Sequence, residues 1–277
     1  MIRNYFKTAW RNLMRNKGFA LINVFGLVIG MTCTLFIFLW VRDELSFDKF
    51  HKNYDHIYQV IANRDFKNHV FTDPNMVLPL AGELEKKYPD IENATVITYP
   101  QPHLFQYGDL KLNKSGYTVS EHFFDVFTWK FIKGNPKGIL NDPSSLIVTR
   151  SFATALFGNA DPINKVVKID NDRNLKVVAV VEDPPFNSTL SYSFIQPFNY
   201  SDEGIKNAME NWQNSSWAVF LQMKPGADMK LMDKNINTLK KEHDKYDAVS
   251  TYFTFPMKKW RLYSEFKDGK NTGGMIE

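Results

Sequence analysis

Few residues in this chain have the types and spacing that chemistry requires. A phosphate-binding loop needs the pattern G-x-x-x-x-G-K-[ST], and the segment 134–138 (GNPKG) lacks both that spacing and the hydroxyl after the lysine. His51 and His56 are five positions apart, whereas a helical zinc-hydrolase site uses histidines at i and i+4 with a glutamate between them. The sequence therefore predicts no ATP hydrolysis by this chain, and it favours packing or solvated histidines over metal ligands.

Nucleophilic catalysis has no better support. The chain has no G-x-S-x-G motif, and its single cysteine, Cys33, lies in the middle of a long apolar run. Two prolines stiffen the segment 183–186 (DPPF), which we interpret as a turn that closes the preceding strand. We predict a protein that is not an enzyme and that uses no cofactor and no metal. A pocket assembled from scattered residues stays open as an alternative.

A long apolar run near the N-terminus would hold the rest of the chain at a membrane. Residues 19–41 are 23 uncharged residues, of which fourteen are Leu, Ile, Phe or Val. As a helix rising roughly 1.5 Å per residue, the run reaches about 34 Å, enough to cross a hydrocarbon core of roughly 30 Å. A cleaved secretory signal is the alternative, but its apolar region is usually about 7–15 residues long and ends in a small-x-small site, which this run lacks. We predict an uncleaved transmembrane helix in the lipid bilayer.

The basic leader predicts the orientation of that helix. Arg3, Lys7, Arg11, Arg15 and Lys17 precede the run without any acidic residue. Because cytoplasmic segments next to a membrane helix carry the excess of Lys and Arg, the N-terminus is predicted to lie in the cytoplasm. Residues after about 42 would then lie on the other side of the membrane.

The leader also has a helical period. Its apolar residues recur at helical spacing from Ile2 to Met14, and its cations fall mostly on the opposite side. We predict that residues 1–18 form a cytoplasmic interfacial amphipathic helix, with a turn at Lys17 and Gly18 into the span. An unstructured basic tail is the alternative.

Membrane contacts are the candidate functional sites on these helices. Trp10 and Trp40 are predicted to anchor the chain at the two membrane interfaces, and Arg11, Arg15 and Lys17 to face the lipid headgroups.

A second candidate site lies within the span. Gly26, Gly30 and Thr34 recur every four residues and fit the small-xxx-small pattern that lets another helix approach closely. We predict them as helix-packing residues, with a partner helix elsewhere in the same protein or in a second copy; a chance pattern is the alternative.

Composition excludes two classes of protein. The net charge is +4, and five cations belong to the leader, so the remainder is close to neutral and nucleic-acid binding is not predicted. One cysteine excludes a small disulfide-stapled scaffold.

Hydrophobic patterns after residue 42 predict an α+β domain. Strands are predicted at 57–62 and 94–98 with a helix at 76–88 between them, and again at 217–223 and 251–255 with a helix at 228–245. The intervening region is mostly β, with strands at 146–149, 166–169 and 175–181 and a short helix at 151–157 capped by Ser151 and stopped by Gly158. The two strand-helix-strand halves are predicted to form one α/β module with a β insert.

Five segments carry a resemblance to a known family. They are residues 5–31 (YFKTAWRNLMRNKGFALINVFGLVIGM), 44–60 (ELSFDKFHKNYDHIYQV), 121–136 (EHFFDVFTWKFIKGNP), 146–165 (LIVTRSFATALFGNADPINK) and 177–198 (VVAVVEDPPFNSTLSYSFIQPF). In this order they resemble the N-terminal part of MacB-like, FtsX-type ABC transporter permeases, particularly those of Bacteroidetes. The resemblance covers nearly the whole chain.

The resemblance implies a domain plan. A first transmembrane helix (19–41) would be followed by a periplasmic core domain with a porter-like α/β subdomain, residues 42–116 and 216–277, and an inserted, mostly-β sabre-like subdomain, residues 117–215. The chain would belong to the inner membrane. It ends where the second of four membrane helices of the family would begin, so a longer permease is expected.

The resemblance also implies function and partners. Such permeases transmit the motion of a separate cytoplasmic MacB-like ATPase to their periplasmic domains, which work as a dimer and, in some cases, with an adaptor and an outer-membrane channel. The substrate would be an antimicrobial, a peptide or a lipoprotein. A single-span sensor with a periplasmic ligand-binding domain is the alternative, which the sequence beyond residue 277 would distinguish; a membrane-anchored enzyme is disfavoured by the lack of catalytic motifs.

Overall fold

The computed structural model describes residues 2–66, 69–244 and 249–274. The chain divides into two compact units, residues 1–46 and residues 47–277. The first unit consists of helices α1 (Ile2–Arg15) and α2 (Lys17–Glu44). Helix α2 is long and apolar enough to cross a membrane. The break between the two helices falls at Asn16, with φ −114° and ψ 58°, and not at Lys17 and Gly18 as predicted. Both of those residues are helical because the Asn16 carbonyl already accepts the Ala20 amide at 2.9 Å.

The second unit contains five α-helices and fifteen strands among its described residues. The helices are α3 (Leu80–Lys87), α4 (Phe123–Val126), α5 (Arg150–Phe157), α6 (Glu203–Glu210) and α7 (Met229–His243). The strands are β1 (Ile57–Phe66), β2 (His69–Asp73), β3 (Met76–Val77), β4 (Ile91–Ile97), β5 (Gln101–Tyr107), β6 (Leu110–Val119), β7 (Phe131–Lys133), β8 (Ser145–Thr149), β9 (Val166–Ile169), β10 (Arg173–Val181), β11 (Phe194–Pro197), β12 (Ser215–Met223), β13 (Thr251–Pro256), β14 (Glu265–Lys267) and β15 (Lys270–Gly273).

The two predicted strand-helix-strand halves form one antiparallel sheet. Its order is β4-β12-β1-β13, so strands of the first half alternate with strands of the second half. Short strands β2 and β3 pair with β1 and β12. With one helix in each half, this is the β-α-β-β-α-β arrangement of ferredoxin-like folds, with a long insertion between β4 and β12. The predicted α/β module is confirmed.

The inserted strands close into a ring. Strand β11 pairs with both β8 and β6, so the hydrogen-bonded path β6-β5-β9-β10-β8-β11 returns to its start. The β6–β11 and β8–β10 pairs are parallel and the other pairs are antiparallel. Closure removes the free strand edges that would otherwise pair with another chain. The ring joins the open sheet through one pair of residues, Ile97 and Val119.

Helices α3 and α7 pack on the open sheet through a first hydrophobic cluster. Leu84 of α3 and Ile236 of α7 meet Val60, Val219 and Leu221 of the sheet, and all five are buried. Fully burying such a side chain stabilises the fold by about 1.5–3 kcal/mol. The strand predicted at 57–62 is confirmed, and its side chains alternate: Val60 and Ala62 face the helices while Ile57 and Ile61 face the other side.

A second cluster, the central core, lies between the open sheet and the ring. It contains Ile61 and Phe220 from the sheet and Tyr117 and Ile195 from the ring. A third cluster fills the ring with Phe105, Phe152 and Phe194. Strand β10 contributes to both clusters: Leu175, Val177 and Val180 lie in the third cluster, and Ala179 and Val181 lie in the central core. A register shift between Val177 and Ala179 changes which alternate residues face the ring interior.

Two helix starts differ from prediction. The helix predicted at 76–88 begins at Leu80, because Met76 and Val77 pair with β12 as strand β3 and Pro79 disfavours a helical residue before it. The predicted Ser151 cap is wrong. Thr149 is the N-cap of α5, since its side chain accepts the Phe152 amide.

The remaining helix predictions are close to the structure. Gly158, with φ +60°, ends α5 as predicted. Asp228 is the N-cap of α7 rather than its first residue, and the predicted end of that helix at Lys245 lies outside the described residues.

The hairpin β5–β6 was not predicted. Gly108 and Asp109 connect its strands, and Gly108 has φ +57°, as the first turn residue of a type II′ hairpin requires. Strand β6 continues across the predicted subdomain boundary at 116, and the ring uses residues 101–197. The subdomain boundaries therefore stay a prediction.

Candidate functional site

The segment directly after the membrane helix is bound into the second unit by buried polar groups. We name residues 47–53 the joint. Asp48 is 1% exposed and has φ +60°, a left-handed conformation that Asp tolerates better than most residues. Its carboxylate accepts the Thr189 amide at 2.8 Å and the Thr189 hydroxyl, and its own amide donates to the Asn187 carbonyl at 2.8 Å. Burial raises the pKa of Asp48, and the Thr189 hydrogen bonds and nearby Arg261 oppose that rise.

His51 makes the second buried contact of the joint. It is 2% exposed, and its Nδ1 accepts the Thr128 amide at 3.0 Å, so the ring proton of the neutral form lies on Nε2. The ring makes edge contacts with Phe127 and Trp129 at centroid distances of 5.4 and 5.2 Å. Burial lowers the pKa of His51 to about 4, so the ring is neutral near pH 7.

Contacts from three other residues complete the joint. The Lys52 amide donates to the Thr128 hydroxyl at 3.0 Å, and the Asn53 amide group donates to the Asp125 carbonyl at 3.2 Å. The Arg261 guanidinium lies 4.2 Å from the centre of the Phe47 ring, within range of a cation–π interaction. The joint therefore contacts three separate segments, around residues 125–129, 187–189 and 261.

The sequence singled out His51 but not its role. His51 is buried, so of the two predicted alternatives, packing or solvated, the structure shows packing. Among the described residues, no group of three or more His, Cys, Asp or Glu is placed to bind a metal. Asp48 was missed. The signal that could have found it is an acidic residue flanked by Phe47 and Phe50 in a stretch that follows a membrane helix.

The predicted helix-packing residues lie on one face of α2. The Thr34 hydroxyl donates to the Gly30 carbonyl at 2.9 Å, and a Cβ added at Gly26 or Gly30 would meet no atom within 4 Å among the described residues. The face is open in the single chain. Its use by a partner helix stays a prediction.

The predicted interface anchors lie on both helices of the first unit. Trp10, Arg11 and Arg15 lie on α1, and Lys17 and Trp40 lie on α2. Trp10 is 63% exposed and Trp40 is 54% exposed, so neither ring is buried by the described residues. Their role as anchors stays a prediction.

The segment 183–186 follows the end of β10 at Val181, as the predicted turn requires. The Asp183 carboxylate accepts the backbone amide and the hydroxyl of Ser151 at the start of α5. This contact joins a turn to a helix N-terminus, where an anion is favoured, and it gives Asp183 a structural role.

The fold and the joint define a class of protein: an α+β domain, built from a ferredoxin-like sheet and an inserted β ring, that continues from one membrane-type helix. The sequence profile of the MacB-like periplasmic core domain matches residues 20–239. The chain belongs to this family and contains the periplasmic core domain of an ABC transporter permease. The predicted resemblance is confirmed.

Solved structures share the fold. A domain of a protein described as a permease from Porphyromonas gingivalis is 20% identical with a TM-score of 0.64, covering 74% of this chain and 91% of that one. The periplasmic region of MacB from Actinobacillus actinomycetemcomitans is 16% identical with a TM-score of 0.52, and the match covers 75% of this chain and 92% of that one. The extracellular domain of the noncanonic ABC-type transporter YknZ from Gram-positive bacteria is 12% identical with a TM-score of 0.52, covering 72% and 99%. None of the curated protein sequences matches this chain.

Proposed function

We propose that this chain is the periplasmic lever of a MacB-like ABC transporter permease, meaning a domain that receives motion from a membrane helix and passes it to a substrate or partner. The observation that carries this proposal is the joint. Only Leu45 and Ser46 separate the end of α2 at Glu44 from Phe47. The three Cα steps from Glu44 to Phe47 span at most about 11 Å, so a larger displacement of the helix must pull on the joint.

The joint is built to pass that displacement on. Asp48 and His51 are buried and hydrogen-bonded to loops that lie more than 70 residues further along the chain. Hydrogen bonds to a charged group are each worth about 1.5–3 kcal/mol, so the Asp48 contact resists separation. Motion entering at residue 47 would therefore reach the loops that connect the ring strands.

The partners and orientation of the proposal follow from the family and the leader. A separate cytoplasmic ATPase of the MacB type would supply the motion, and a second copy of the permease would complete the assembly. The five leader cations support a cytoplasmic N-terminus and a periplasmic core domain in the inner membrane. The transported molecule would be an antimicrobial, a peptide or a lipoprotein, with or without an adaptor and an outer-membrane channel.

The test uses the full-length permease, co-expressed with its ATPase and purified as a complex. A spin label at Phe186→Cys in a Cys33→Ala background reports the distance between the two copies, because Phe186 is 81% exposed. We expect trapping with ATP and vanadate to shift this distance in the parent protein and in the control Asp55→Ala, an exposed residue near the joint. Asp48→Ala should reduce the shift while ATP hydrolysis continues.

Two outcomes would overturn the proposal. One is a permease that binds no ATPase and whose inter-copy distance does not respond to ATP. The other is an Asp48→Ala protein whose distance shift equals that of Asp55→Ala, which would show that motion does not pass through the joint.

A further inference from the structure

A cavity of about 350 Å³ opens between the sheet and the ring of the second unit. Its floor consists of buried residues of the central core, among them Ile61, Ile97, Phe220 and Trp260. Its mouth is formed by more exposed residues, including Tyr99 and Ser264. The size falls in the range of roughly 300–1,000 Å³ that is typical of small-molecule sites.

The lining of this cavity selects against charge. None of the seventeen described lining residues is Asp, Glu, Lys, Arg or His. An ion that entered would lose its hydration without gaining an opposite charge, which costs several kcal/mol or more. An uncharged ligand would incur no such cost.

The three threonine hydroxyls of the wall already have partners within the protein. The Thr72 hydroxyl donates to the Asn63 side chain at 2.8 Å, the Thr98 hydroxyl accepts the Thr118 amide at 2.9 Å, and the Thr189 hydroxyl donates to Asp48. With these groups engaged, the cavity offers chiefly hydrocarbon and aromatic surface. An aromatic ring of a ligand would be stabilised on such a surface by the burial of its apolar area and by offset or edge-to-face contacts with the aromatic side chains of the wall.

We propose that this cavity is a binding site for an uncharged, largely apolar small molecule that carries an aromatic ring. The site does not depend on the proposed lever function, because it is defined by the walls of one core domain. Its position gives it a direct link to the joint: Thr189, which lines the cavity, is the residue that binds the Asp48 carboxylate.

The test measures binding to residues 47–277, which contain all three hydrophobic clusters and form a compact unit. The probe is N-phenyl-1-naphthylamine, an uncharged aromatic molecule whose fluorescence rises in apolar surroundings. Its matched comparison is 8-anilino-1-naphthalenesulfonate, which has the same ring system with one added sulfonate. We expect saturable binding of one uncharged probe per chain, and binding of the sulfonate at least about ten-fold weaker.

Substitutions locate the probe. Ser264→Trp should fill the mouth and weaken binding by at least about ten-fold, whereas Glu265→Trp, an exposed neighbour that does not line the cavity, should change it by less than about two-fold. Ala218→Leu, which fills the floor from β12, provides a second blocking variant if the first does not fold. Melting curves of each variant report whether it is folded.

Three results would overturn the proposal: binding that does not saturate, equal affinity for the two probes, or unchanged affinity in both blocking variants. The ATPase and the membrane helices are absent from this experiment. A negative result would therefore leave the lever proposal standing, and a positive result would not by itself support it.

Discussion

Thr189 donates two hydrogen bonds to one carboxylate, that of Asp48, through its amide at 2.8 Å and through its hydroxyl. The two residues are 141 positions apart, and Asp48 lies close after the membrane helix. The contact ties the start of the core domain to the loop that precedes β11. It therefore links the joint directly to one loop of the ring.

Removing the Asp48 carboxylate should destabilise the core domain. We expect Asp48→Ala to lower the free energy of unfolding of residues 47–277 by about 1–3 kcal/mol, because two hydrogen bonds to a charged group are lost and Ala is strained at φ +60°. Asp48→Asn should cost less, since Asn tolerates this conformation and can still accept the Thr189 amide. Urea denaturation followed by circular dichroism gives both values. Equal stability of the Ala variant and the parent would contradict this role.

The stability of the core domain should depend on pH through His51. Its pKa is about 4 in the folded state against 6.5 ordinarily, so the unfolded state binds more protons between these values. The contribution of neutral His51 to the free energy of unfolding is fully present above pH 6.5. It is lost as the pH falls towards 4, by about 3 kcal/mol in total. Protonation of Nδ1 would also remove the acceptor of the Thr128 amide.

The check is urea denaturation at several pH values for the parent and for His51→Phe, which keeps an aromatic ring but cannot titrate. The difference between the two free energies should shrink as the solution is acidified from about pH 7 to about pH 4.5. A difference that stays constant with pH would show that His51 does not titrate in this range.

Ring closure should be sensitive to one glycine. A Cβ at Gly116 would lie 2.2 Å from the Phe194 carbonyl oxygen, across the β6–β11 pair. We expect Gly116→Ala to destabilise residues 47–277 by about 1–3 kcal/mol or more, as overpacking does. The matched control is Gly82→Ala on helix α3, where a Cβ meets no described atom within 4 Å and stability should rise by about 0.5–1 kcal/mol. Thermal melting distinguishes the two, and a neutral Gly116→Ala would contradict the closed ring.

Orientation can be measured by labelling. In a Cys33→Ala chain, Phe186→Cys should react in spheroplasts with a maleimide that cannot cross the membrane, and Thr8→Cys should react only after the membrane is permeabilised. The expectation follows from the leader cations. The reverse pattern would place the core domain in the cytoplasm and exclude the proposed lever.

Helix packing is tested at the predicted face. We expect Gly26→Leu together with Gly30→Leu to weaken association of the full chain in lipid vesicles, measured by energy transfer between labelled copies, because the larger side chains keep backbones apart. The control Leu27→Ile changes a neighbouring residue without adding volume. Association that is unaffected by the double substitution would mean that this face does not pack against a second copy.

The sequence by itself determined the local features and the family. A 23-residue apolar run and an acid-free leader are contiguous, so their composition alone identifies a membrane-type helix. The strands at 57–62 and 217–223 were recognised from the side chains of short continuous runs, which alternate in the first and are mostly apolar in the second. Five segments that follow one another in the family's order were enough to indicate the family, because each segment is a continuous stretch of sequence.

Only the tertiary structure decided what joins distant parts of the chain. The alternation of β4, β12, β1 and β13 and the closure of the ring at β11 depend on pairings between strands that lie far apart in sequence. Met76 and Val77 have helical spacing but form a strand, because β12 offers them hydrogen-bond partners. The joint is of the same kind: the sequence shows an acidic residue between aromatic ones, but Asp48 can be buried because Thr189, 141 positions later, supplies the donors that its carboxylate needs.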